Sequence, residues 1–218
     1  MASNQLLEAV ELNNEGVLCL LNTSSRPYNQ AVPLFKSSLA MLQQHMLHDE
    51  LQYDNHPNIC TGTPLMVSIP VVPEDDNRRF FHLYNRCFVI DPAHGLNSLK
   101  SVLAVLFNLS LACHIQGQTH KAKALYAMAW RLAQDGVTKG DSLRVLLELA
   151  IKNNLAHCHL ADDKDRAVEA MESMSHTLLF AHDLPNNPLL SLEVDHLQEI
   201  EVNFRTVHSF PIIAAPAA

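Results

Sequence analysis

Residues 105–133 read VLFNLSLACHIQGQTHKAKALYAMAWRLA, and the two sides of Gly117 follow one rule. Leu106, Leu109 and Cys113 fall on a single helical stripe, widened by Val105 and Ala112. Beyond the glycine, Ala122, Leu125, Tyr126, Ala129, Leu132 and Ala133 fall on another at three- and four-residue spacing. The pattern predicts a pair of helices. Gly117 can take the positive φ that ends the first, Thr119 is placed to cap the second, and so short a connection forces the pair antiparallel. Neither helix carries a residue in the setting of a catalytic group.

The same pattern recurs on both sides. Residues 142–161, SLRVLLELAIKNNLAHCHLA, predict a helix capped by Asp141 or Ser142. After the polar break Asp162-Asp163, the stretch KDRAVEAMESMSHTLL places Ala167, Ala170, Met171, Met174 and Leu178 on one face. Near the start, LEAVELNNEGVLCLLN is followed by a turn at TSSRP and by YNQAVPLFKSSLAML, whose stripe is Ala31, Leu34, Phe35, Ser38 and Leu42. Pro33 falls in the first turn of that helix, where proline is tolerated.

A small residue early in the second helix of each pair, an aromatic four positions on, and then another small residue form a signature: Ala31-Phe35-Ser38, Ala122-Tyr126-Ala129 and, more loosely, Ala167-Met171-Met174. The first helices supply a leucine next to a small side chain at Leu18-Cys19, Leu109-Ser110 and Leu155-Ala156, and Tyr28 opens the second helix of the first pair. In these motifs the chain resembles the tetratricopeptide repeat family. The resemblance covers three helix pairs, somewhat under half of the residues. It implies an all-α fold, a right-handed α-α superhelix forming one domain over residues 1–218. The departures are informative. Equivalent alanines lie 91 and 45 residues apart, against roughly 34 in an uninterrupted array. Leu106 stands where the family favours tryptophan, and the third pair has methionines where it favours an aromatic and a small residue.

The long first spacing locates an insertion over residues 45–97, where the period changes from helical to alternating. PLMVSIPVV sets Leu65, Val67, Ile69 and Val71 against Met66, Ser68 and Pro70; FFHLYNRCFVI alternates in the same way, and the polar PEDDNRR lies between them. A β-hairpin inserted beside the helices is expected, with one apolar face laid on them because a lone hairpin is barely stable in water. Pro70 predicts that its strand is an edge. Toward the end, residues 187–207 predict a capping helix that covers the last open face of the stack, and residues 208–218 an apolar tail.

Composition narrows the function. The 218 residues are 48% hydrophobic, enough for a substantial core, and the net charge of −8 is the wrong sign for neutralising phosphates or lying on an anionic membrane. No nucleic-acid or membrane partner is expected. The five cysteines are widely spaced, without a CxxC pair, and read as reduced thiols. No basic n-region opens the chain and no apolar run approaches about 20 residues, so a cytoplasmic or nuclear protein is expected.

Candidate chemistry is sparse. His45 and His48 share a helical face with Asp49 and Glu50 nearby, but no HExxH motif or third ligand accompanies them, so no metal and no cofactor is expected. His157 and His159 diverge by about 200° on a helix and cannot chelate one ion there. No GxGxxG or GxxxxGK[ST] loop is present, and Cys113 and Cys158 lie within apolar helices without a nucleophile elbow.

What the resemblance adds is a groove lined by the first helix of each pair, used in that family to hold a partner peptide or helix. It places Asn13 and Val17, then Asn108, Leu111 and His114, then Asn153, Asn154 and His157 on that lining. Carboxamides suit the task because each both donates to and accepts from a peptide backbone without committing a charge. In one subclass a partner's C-terminal carboxylate is clamped, but those slots fall here on Gly16, Leu20, Asn108, Ala150 and Asn154, of which only Asn108 fits. The expectation is a non-catalytic protein-interaction module. Two rivals remain: an enzyme with a site around His82, Tyr84, Arg86 and His114, and a subunit that forms a homo-oligomer through the hairpin edge.

Overall fold

The computed structural model describes residues 2–22, 27–52, 65–70, 83–94, 97–136, 142–160, 162–183 and 200. Among them are α1 (Ala2–Leu21), α2 (Pro27–Gln52), β1 (Leu65–Pro70), β2 (Arg86–Asp91), α3 (Ser98–Ile115), α4 (Thr119–Gly136), α5 (Ser142–His159) and α6 (Lys164–Asp183). One 3-10 turn, Pro92–His94, follows β2. The protein is predominantly α-helical, and among the described residues six helices pack in succession.

Local chemistry sets the helix ends. Asn97 caps α3, its side chain accepting the Lys100 N–H at 3.0 Å. At the other end Gly117 adopts φ 78°, the Gly117 N–H reaches the His114 carbonyl, and the Gln118 N–H reaches that of Cys113, each at 2.9 Å. Those two bonds form a Schellman motif, which needs a left-handed residue at Gly117. The cap of α4 falls on Gln118, whose carbonyl accepts from Ala122, one residue earlier than the expected Thr119. Asp163 caps α6 by accepting the Arg166 N–H at 3.1 Å.

Each helix contacts its successor, and α1 also touches α3 as α3 touches α5. The odd-numbered helices therefore lie side by side, each backed by its even-numbered partner. Central α3 meets α1, α2, α4, α5 and β2, and every residue from Lys100 to His114 is buried. Neighbours on all sides explain why this helix is apolar all round, enough to cross a membrane by length and composition alone.

The triplets sit at the close junctions that their sizes demand. Ala31, Phe35, Ser38, Ala122, Tyr126, Ala129 and Ala167 are each at most 1% exposed. Ser38 Oγ donates to the Ala9 carbonyl at 2.6 Å, which draws α2 against the α1 backbone. A Cβ at Gly16 would stand 2.6 Å from the Phe35 ring, so hydrogen is the only side chain that fits there without a shift. Leu18 differs from expectation. It is 65% exposed, whereas Val17 and Leu20 are buried, so the apolar stripe of α1 is rotated relative to the Leu18-Cys19 assignment. Within the third pair, α5 is tied to α6 by Lys152, only 4% exposed. Its Nζ reaches Glu148 Oε1 and Thr177 Oγ1 at 2.6 Å each and lies 5.7 Å from the Trp130 ring centre.

Within the insertion, β1 and β2 pair antiparallel with Val67 opposite Val89 and Ser68 opposite Phe88. The insertion starts later than expected, because residues 45–52 continue α2, where His45 Nδ1 lies 3.3 Å from Ser98 Oγ of α3. The second strand begins at Arg86 rather than near Phe80. The polar loop PEDDNRR, the tail 208–218 and residues 187–207 other than Ile200 lie outside the described residues. Ile200 is helical and fully buried in the main core.

Candidate functional site

The face shared by α1, α3 and α5 is lined with asparagines, and every one of them is engaged. Asn108 of α3 accepts the Phe88 N–H on Oδ1 and donates Nδ2 to the Phe88 carbonyl, both at 2.8 Å. Asn13 of α1 donates to the same carbonyl at 3.1 Å and accepts from Asn108 at 2.9 Å. Asn14 repeats the two-point grip on Ile90, accepting its N–H at 3.0 Å and donating to its carbonyl at 2.8 Å. On α5, Asn154 takes the Tyr84 N–H at 2.8 Å and donates to the Tyr84 carbonyl at 2.9 Å and to the Tyr126 hydroxyl at 3.0 Å. Asn153 supports it, donating to Asn154 Oδ1 at 3.1 Å.

A carboxamide that accepts one N–H and donates to the carbonyl of the same residue does what a neighbouring strand would do. The helices thus supply the missing ladder along one edge of β2 and its approach, and the held polypeptide is the chain's own segment 84–90. Its side chains complete the core. Tyr84, Cys87, Phe88 and Ile90 are at most 1% exposed. The Phe107 ring meets Phe88 edge-on at 5.2 Å and Tyr84 at 5.9 Å between centroids. Burying Phe88 and Ile90 contributes roughly 1.5–3 kcal/mol each, and both, with Tyr84, are members of the main core. The segment is a structural element, not a loosely held ligand.

Of the expected groove residues, Asn13, Val17, Asn108, Leu111, Asn153 and Asn154 are fully buried, and His114 is 9% exposed. Val17 and Leu111 belong to the apolar core, and His157 alone is half-buried. The structure gathers Asn13 and Asn108 around Phe88 and Asn154, backed by Asn153, at Tyr84, and it sets His114 against His157 instead. Asn14 and the Tyr126 hydroxyl complete the grip. Asn14 neighbours Asn13, but nothing local in the sequence tells which of two adjacent asparagines meets a strand.

The histidines and a cysteine form a second cluster. His157 Nδ1 lies 3.1 Å from His114 Nε2, and Cys158 Sγ lies 3.6 Å from His114 Nδ1. The distances resemble a nucleophile and its base, but the electrostatics do not. Burial pushes the Cys158 thiol up to about 12, whereas Lys123 pulls it down only in part. Burial, then the neighbouring His157, lowers His114 to about 4. At neutral pH this is a neutral imidazole beside a protonated thiol, the reverse of an activated thiolate-imidazolium pair. Of the other residues of the enzyme rival, Tyr84 is held by Asn154 and His82 lies outside the described residues. Among the described residues no group of three or more His, Cys, Asp and Glu side chains is placed to hold a metal ion.

No protein-family model matches the sequence, and comparison with curated proteins and with solved structures gives no match either.

Proposed function

We propose that the chain is a non-catalytic protein-interaction module, a short tetratricopeptide-like superhelix whose groove is filled by its own segment 84–90 and whose hairpin is presented to a partner polypeptide. The observation that carries this reading is the two-point grip of Asn14, Asn108 and Asn154 on the main chain of that segment. A surface built to hold extended backbone is at work here, and its occupant in turn fixes β1 as the outer strand. The raised Cys158 thiol and lowered His114 argue only against a thiolate-imidazolium pair at that cluster.

Strand alternation identifies the surface that is left. Phe88 and Ile90 turn their peptide groups to the asparagines, so Cys87, Val89 and Asp91 turn theirs to β1. Their partners Ile69, Val67 and Leu65 face back. Met66 and Ser68 then direct N–H and carbonyl groups to the far edge of β1, which pairs with no other strand among the described residues. An extended segment of a partner, or of a second copy, can add there.

Ser68→Pro tests this because it removes an outward N–H and leaves the inner ladder intact. We expect the variant to melt within a few degrees of the parent and to lose self-association in light scattering, or capture of its partner. Val67→Pro, which breaks the inner ladder, should destabilise the hairpin itself. Undiminished association by a folded Ser68→Pro protein would remove the β1 edge from the proposal.

A further inference from the structure

We propose that the cleft between α2, α3 and α4 binds a small organic anion carrying one carboxylate on an apolar body. This site is separate from the β1 edge and from the asparagine grip. The cleft encloses about 540 Å³, within the range of about 300–1,000 Å³ usual for small-molecule sites. Val32 of α2, Leu109 of α3 and Leu125 of α4 give it apolar walls, and Cys113 closes its floor. Cys113 is 4% exposed and carries a free thiol, so the floor holds no charged side chain.

Charge decides which apolar molecule fits. Lys36 on the α2 wall and Lys121 on the α4 wall both line the cleft, Lys121 Nζ also donating to Gln118 Oε1 at 2.8 Å, and among the described residues no Asp or Glu lines it. Both ammonium groups act on the Cys113 thiol, pulling it down against the larger upward effect of burial, so the fields of both reach the floor. In a chain of net charge −8 the two lysines give this cleft the opposite sign. It attracts an anion and repels a metal ion or an amine. A polyphosphate is mismatched, since no glycine-rich loop and no arginine lines the cleft and an apolar floor leaves multiple charges without hydration. A monocarboxylate instead sets its head between the two lysines and its hydrocarbon against Val32, Leu109 and Leu125.

Octanoate, octanol and octylammonium share one tail and differ in head-group charge, so titrating each into the intact chain by NMR separates the contributions. Octanoate should shift the Val32, Leu109 and Leu125 methyl signals saturably, octanol should bind about tenfold more weakly, and octylammonium should not bind. Lys36→Gln with Lys121→Gln should bring octanoate down to the octanol level with an unchanged melting temperature, since both side chains are exposed. Equal affinity for octanoate and octanol, octanoate binding indifferent to the double variant, or shifts confined to other methyl groups would each overturn the proposal.

Discussion

Asn108 serves three masters at once: the Phe88 N–H, the Phe88 carbonyl and Asn13. Truncating it strands two buried polar groups, the Phe88 N–H and Asn13 Oδ1, while the Phe88 carbonyl keeps its bond from Asn13; each stranded group costs about 1–3 kcal/mol. Asn108→Ala should therefore lower unfolding free energy by roughly 3 kcal/mol, read from the urea midpoint at constant slope. Asn108→Asp, which keeps the acceptor but cannot donate when ionised, should cost no less. His114 makes the other prediction. Its folded value of about 4 lies below the ordinary 6.5, so the unfolded chain binds the extra proton first. Stability should be complete above pH 6.5 and fall as the pH drops from 6.5 to 4, by about 3 kcal/mol in all. Denaturant melts across that window should show the decline, and His114→Gln should flatten it. Asn13, Asn108, Asn153 and Asn154 were legible through the resemblance to the repeat family, which places them on the lining of its groove. That His114, His157 and Cys158 meet was not, since 43 residues separate the two histidines and no local pattern reports a contact across neighbouring helices.

Elements follow from the sequence where a short-range period dictates them. The break at Gly117, the triplets of α2, α4 and α6 and the alternation in the hairpin all belong to that class. The path of the hairpin does not. FFHLYNRCFVI alternates equally well whichever face turns inward, and only the three-dimensional spacing of Asn14, Asn108 and Asn154 selects Tyr84, Phe88 and Ile90. Leu18 shows the converse failure, since leucine beside a small residue looks alike on the inner and outer sides of α1. Gly16 carries the element-level prediction. A methyl group placed 2.6 Å from the Phe35 ring forces the ring or its helix to shift, which costs about 1–3 kcal/mol. Thermal melts of Gly16→Ala should show that loss. Phe35→Leu added to Gly16→Ala should cost less than the sum of the single changes, because the smaller side chain makes room.

At the scale of the whole molecule, the segment 84–90 ties α1, α3 and α5 into one cooperative unit. If it opens only when everything opens, the amide hydrogens of Tyr84, Phe88 and Ile90 should exchange with solvent as slowly as those in the middle of α3. Exchange a hundredfold or more faster would mean that the segment leaves its seat on its own, and the groove would then be available to an outside peptide after all. The same tie has a temporal side. Asn154 is made 70 residues after Tyr84, a delay of about 4–14 s at the ribosome. During that interval Tyr84, Phe88 and Ile90 have emerged but part of their seat has not. The nascent protein must pass through a stage with greasy aromatic surface uncovered, so its yield in the cell depends on how well that interval is shielded.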